Sequence, residues 1–163
     1  MSERRQRTRA LVAGLLMGAG LGGFFDGIVF HQILQWHNML SGWIPPDDLV
    51  SVKVNMVWDG YFHLAVWLIT IAGLAVLLQA VARTPGPFPS RYVVGALLAG
   101  WGIFNLAEGI IDHHVLGVHR VHPASDMAMA WDIGFLASGI VLIVVGALIA
   151  RRSPSSSGRS TGV

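Results

Sequence analysis

Apolar residues fall in four long runs, about Ala10 to Phe30, Met56 to Ala82, Val93 to Leu116 and Met127 to Ala150, with polar residues gathered at their ends and in the links between them. Each run can cross a bilayer, because about 20 helical residues cover a hydrocarbon core of about 30 Å. Stretches such as Gly139-Ile140-Val141-Leu142-Ile143-Val144-Val145 lack the two-residue alternation of membrane barrel strands, so the elements are expected to be helices. A basic head before an apolar stretch also has the form of a cleavable signal peptide. Here the stretch is too long for a signal core, and its pattern recurs further along the chain. The expected fold is an all-α integral membrane four-helix bundle.

The recurrence is specific. Offset by 82 positions, Leu15, Leu16, Gly18, Gly20, Gly27, Ile28, His31, Leu34 and His37 meet identical residues at Leu97, Leu98, Gly100, Gly102, Gly109, Ile110, His113, Leu116 and His119, and Asp26 meets Glu108. An offset of 73 then aligns Met56, Trp58 and Asp59 with Met129, Trp131 and Asp132, whereas His63 meets Leu136. The pattern predicts two tandem two-helix repeats, residues 10–82 and 92–150, within one domain of residues 1–152. Two crossings per unit keep both copies in the same orientation, which implies a pseudo-twofold axis along the membrane normal. The shared glycines at 18, 20, 100 and 102 are expected to let helices approach closely.

Charge sets the orientation. Arg4, Arg5, Arg7 and Arg9 precede the first run, Arg83 and Arg91 flank the link between halves, and Arg151 and Arg152 follow the last run. The positive-inside rule puts these ends and both termini in the cytoplasm. The loops Ser41 to Asn55 and Gly117 to Asp126 then face outward. Thr84-Pro85-Gly86-Pro87-Phe88-Pro89 reads as a stiff cytoplasmic link, and residues 153–163, rich in serine and glycine, as a disordered cytoplasmic tail. No aromatic residues interleave with the terminal arginines, which argues against a nucleic-acid partner. The lipid bilayer is the expected partner, consistent with 53% hydrophobic and only 12% charged residues.

Acids and histidines interrupt the apolar runs at matching depth. Counting the helical rise from each boundary places Asp26 with His31, Glu108 with Asp112 and His113, Asp59 with His63, and Asp132 in one layer near the outer face. An ionisable group at mid-membrane costs at least about 2.5 to 3.5 kcal/mol, less nearer the edge, so several gathered acids call for compensation by a cation or by histidinium. With no cysteine, any metal must be held by nitrogen and oxygen, which suits iron, manganese, zinc or copper(II). The candidate ligands are Asp26, His31, Asp59, His63, Glu108, His113 and Asp132. Asp59 and His63 lie four apart, on one helix face. Asp26 to His31 and Glu108 to His113 are five apart and share a face only if a wide turn intervenes, for which Gly27 and Gly109 are well placed. His37, Asp112, His114, His119 and His122 are candidates for outer positioning groups or an access path.

The runs Gly23-Phe24-Phe25-Asp26-Gly27-Ile28-Val29-Phe30-His31-Gln32-Ile33-Leu34-Gln35-Trp36-His37, Asn55-Met56-Val57-Trp58-Asp59-Gly60-Tyr61-Phe62-His63 and Asn105-Leu106-Ala107-Glu108-Gly109-Ile110-Ile111-Asp112-His113-His114 resemble the domain of unknown function 2243 family of bacterial predicted membrane proteins. The resemblance implies a four-helix protein of the bacterial cytoplasmic membrane and brings no reaction. From the residues alone, the expected function is that of a membrane metalloprotein, used as a non-haem metal-dependent oxidoreductase acting on an unknown small molecule. The alternatives are a metal chaperone or assembly factor for another membrane metalloprotein, a haem-binding protein with His31 and His113 as axial ligands, and an accessory subunit whose polar layer is only structural.

Overall fold

A computed structural model of the protein describes residues 3–83, 88 and 90–151. The expected tail at 153–163 and, apart from Phe88, the Thr84 to Pro89 link lie outside the described residues. Helix α1 spans Glu3–Asp26 and runs directly into a wide helical turn, π1, at Gly27–Ile33. Helix α2 spans Leu49–Ala82, α3 spans Ser90–Glu108 and runs into a second wide turn, π2, at Gly109–Val115, and α4 spans Ala128–Arg151. All four helical stretches are long and apolar enough to cross a membrane.

Helix α2 begins at Leu49, ahead of the expected start near Met56, so the first loop is shorter than the apolar pattern suggests. The reason is local. The Asp48 carboxylate accepts the N–H groups of Val50 at 2.7 Å and Ser51 at 3.0 Å, and the Ser51 hydroxyl accepts the Asp48 N–H at 3.1 Å. This reciprocal cap satisfies amides that would otherwise lack partners and starts the helix before hydropathy rises. The same backbone bonds, that of Ser51 first, hold the Asp48 carboxyl below the ordinary aspartate range.

The helices stand in a row, α2, α1, α3, α4. Helix α1 packs on both α2 and α3, and α3 packs on α4, while among the described residues the backbones of α2 and α4 stay apart. Burial agrees: 44% and 39% of the apolar windows of α1 and α3 are buried, against 17% for each of α2 and α4. The outer pair presents Trp67, Leu78, Ile140 and Val144, all about half exposed, as a lipid-facing surface.

Close contacts hold the row together. A methyl group on Gly18 would strike the Leu97 backbone, and one on Gly100 would strike that of Leu15, so α1 and α3 exchange equivalent contacts at residues 82 apart. Gly20 gives the same closeness to α2, against Val66 and Thr70, and Gly102 to α4, against Gly139 and Ile143. Where lipid is as apolar as the side chains, backbone approach of this kind is a main source of packing energy.

Candidate metal centre

Both wide turns start at the glycines expected to allow them. In π1 the Leu34 N–H donates to the Val29 carbonyl at 2.8 Å, and in π2 the Leu116 N–H donates to that of Ile111 at 2.7 Å. These are five-residue spacings, and they turn a five-residue separation into one face of the helix. His31 Nε2 accordingly lies 3.1 Å from Asp26 Oδ2, and His113 Nε2 lies 2.7 Å from Glu108 Oε1. The turns end on left-handed residues at Gln35, φ 51°, and Gly117, φ 60°. The chain then folds back over the helix ends.

Each imidazole turns its other nitrogen toward a carboxylate on a flanking helix, hydrogen-bonded at His31 and only nearby at His113. His31 Nδ1 lies 2.9 Å from Asp59 Oδ1 on α2, and His113 Nδ1 lies 3.5 Å from Asp132 Oδ1 on α4. Two acid–imidazole–acid sets result, Asp26–His31–Asp59 and Glu108–His113–Asp132. All six residues are at most 6% exposed.

Two histidines of the loops complete the cluster. The His37 Nδ1–H donates to the Val121 carbonyl at 2.7 Å, and the His119 Nδ1–H to the Met39 carbonyl at 3.2 Å. The loop of each half thus clamps the imidazole of the other. The amides of the same two residues donate to the acids, Met39 to Asp59 at 2.7 Å and Val121 to Asp132 at 3.0 Å. A carbonyl only accepts, so both rings carry the Nδ1 proton; when neutral, His37 turns an Nε2 lone pair inward, while His119 Nε2 pairs with Glu108 Oε1 at 2.8 Å. Burial, then the charges of His119 and His31, pushes His37 down to about 2, which keeps it neutral. Its ring stacks on His119 at 4.6 Å and meets His31 edge-on at 4.5 Å.

The cluster can hold a metal ion. Donor atoms of His31, His37 and His119 lie within 4.8 Å of one another, as do those of Glu108, His113 and His119, so His119 is common to both groups. Asp26 Oδ1, His37 Nε2 and Glu108 Oε2 are buried and make no hydrogen bond, and the Nε2 atoms of His31 and His113 sit close to carboxylates but off the line a hydrogen bond requires. Such atoms are costly to bury unless something positive lies among them. Asp59 differs: its two oxygens face His31 Nδ1, the Met39 amide, the Asn38 side chain at 2.8 Å and that of Gln32 at 3.3 Å.

The other candidates lie outside the two donor groups. The His63 Nδ1–H donates to the Asp59 backbone carbonyl at 2.7 Å, and its ring packs against Gly27, Phe24 and Phe62. His122 packs edge-on against Trp36 at 4.4 Å, and Asp112 is half-buried. The His114 Nδ1–H donates to the Gly109 carbonyl at 2.7 Å. Together with Arg120 and Gln35, His114 lines a cavity of about 560 Å³ that also reaches His37, His113 and His119. Sequence reasoning missed Asn38, Gln32 and the backbones of Met39 and Val121, whose roles depend on loops closing over the opposite half.

The fold and this cluster define a four-span membrane protein with a buried histidine and carboxylate centre. The chain belongs to the family described as predicted membrane protein (DUF2243), whose profile matches residues 13–153. No curated protein and no solved structure matches it.

Proposed function

We propose that the protein is a membrane metalloprotein in which His31, His37, His113 and His119, through Nε2, together with Asp26 and Glu108, hold one or two transition-metal ions near the extracytoplasmic face. One observation carries this reading. All four imidazoles set Nδ1 against a carboxylate or a backbone carbonyl and turn Nε2 to a shared interior, the arrangement by which ligating histidines are oriented in metalloproteins. Asp59 and Asp132 are positioning groups, since Asp59 spends its oxygens on donors and Asp132 serves the Val121 amide and the Arg120 guanidinium, 3.7 Å away.

The donor set suits iron, manganese, copper(II) or zinc. We read the reaction class as that of a non-haem metal-dependent oxidoreductase. A bound redox-active ion would supply electron transfer and Lewis acidity. The chain supplies the rest: a rigid, water-poor donor set, and a cavity through which small molecules reach the imidazoles past His114 and Arg120. Burial of the donors at 1 to 6% exposure favours a resident ion over one handed on by a chaperone. Carboxylates flank both His31 and His113, which argues against these two rings as the axial ligands of a haem. The matched contacts at 82-residue spacing support two tandem repeats about an axis along the membrane normal.

Elemental analysis of purified protein after metal-supplemented expression tests the centre. Bound transition metal that is lost in His31→Ala and His113→Ala is the expected result; protein that never retains metal would end the proposal. Spectral change on reduction and reoxidation tests the reaction class, and a redox-silent bound ion would remove it.

A further inference from the structure

A second cavity, of about 500 Å³, opens between the spans beside the cluster. Rings line it from three directions: Phe25 and Phe30 from α1 and π1, Trp101 from α3, and Trp131 and Phe135 from α4. All but Phe135 belong to a continuous aromatic wall, Trp101 to Phe25 at 5.3 Å, Phe25 to Phe30 at 5.9 Å, Phe30 to Trp36 at 5.4 Å and Trp36 to Trp131 at 5.1 Å. None of the lining residues is ionisable. One polar pair interrupts the apolar surface: Asn105, 5% exposed, donates from its amide to the Ser138 hydroxyl at 3.0 Å, and Ser138 donates to the Phe135 carbonyl at 2.6 Å. That leaves the Asn105 carbonyl oxygen and one amide hydrogen beyond the named bonds.

We propose that this cavity binds a planar, lipid-soluble ring compound of the quinone class, taken laterally from the bilayer. An acyl chain is satisfied by any apolar surface and gains nothing from Asn105 and Ser138, whereas a flat ring with carbonyl or hydroxyl edges uses both the aromatic faces and the polar pair. The two halves differ at its mouth. Gly134 lines it, and a Cβ there would meet nothing within 4 Å, while the aligned position in the first half is Tyr61. The site also adjoins the donor layer. Phe135 is 5.5 Å from the His113 ring, Phe30 is 6.2 Å from that of His37, and Val121, whose carbonyl holds His37, closes one end.

The test is a tryptophan-quenching titration of the full-length, detergent-purified protein with a benzoquinone carrying a ten-carbon tail. It is run on metal-free protein as well, so that failure of the metal reading, seen by elemental analysis, is separate from failure of this one. Saturable quenching that Gly134→Tyr weakens about ten-fold or more, with metal content unchanged, is expected. Leu142→Trp, which narrows the cavity further along α4, carries the same expectation should the first variant misfold. Absence of saturable quenching, undiminished binding in both variants, or equal displacement by oleic acid, the mark of an acyl-chain groove, would each overturn the proposal.

Discussion

His37 is the residue whose removal says most about the cluster, because its Nε2 is buried and faces no carboxylate as a hydrogen-bond or ion-pair partner. In His37→Ala the bond to the Val121 carbonyl is lost, worth about 1 kcal/mol, and bound metal is expected to fall by at least about half; His63→Ala, outside both donor groups, should leave it unchanged. Elemental analysis of the two variants side by side measures this, and the opposite order would reverse their assignments. The spacing of Asp59 and His63 suggested a shared ion, yet the ring turns back to the carbonyl four residues earlier. Sequence reveals that two side chains share a face but not which acceptor a ring chooses. His37 and His119 were harder still, since their acceptors belong to the other half of the chain. Gly117 offers a test of backbone alone: its φ is 60° and nothing lies within 4 Å of where a methyl group would stand. Gly117→Ala should therefore lower stability by about 1 kcal/mol in thermal unfolding, without loss of metal, while Gln35→Gly should not lower it.

At the scale of elements, the two wide turns do the positioning. Adding one residue to π1, for example an alanine after Val29, would set Asp26 and His31 six positions apart and turn the acid away from the imidazole by about 100°. The span should survive while metal is lost, as read by membrane insertion and elemental analysis; retained metal would show the turn to be dispensable. These turns were legible beforehand because a five-residue interval between acid and histidine fits a regular helix poorly and a glycine stood in each gap. The start of α2 was not, since a cap acts through bonds that hydropathy ignores. That cap also predicts a pH response. The Asp48 carboxyl is held low in the folded protein, so its contribution is present above the unfolded aspartate range and fades as pH falls through the folded one. Asp48→Ala should lower the melting temperature at neutral pH and narrow its difference from the parent in acid; an equal difference at both would count against the cap.

Across the whole molecule, hydropathy located the spans because bilayer thickness dictates their length, but it said nothing about neighbours. The row α2, α1, α3, α4 follows from which helices carry close-packed glycines on two sides, and among the described residues only α1 and α3 do so. The basic residues at Arg4, Arg83, Arg91 and Arg151 lead us to expect both termini and the central link in the cytoplasm. Fusions of alkaline phosphatase, active only outside, should be silent at the C-terminus and after Arg83, and active within the loop at Pro46; the reverse pattern would invert the protein. The crossed clamps at Met39 and Val121 carry a further consequence. His31 and His113 sit between acids of their own halves, but His37 and His119 are each held by the loop of the other, so either half alone would leave one imidazole without its carbonyl. Two separately made halves that meet in the same membrane would each lack one of the crossed clamps until they joined, which ties closure of the centre to completion of the fold.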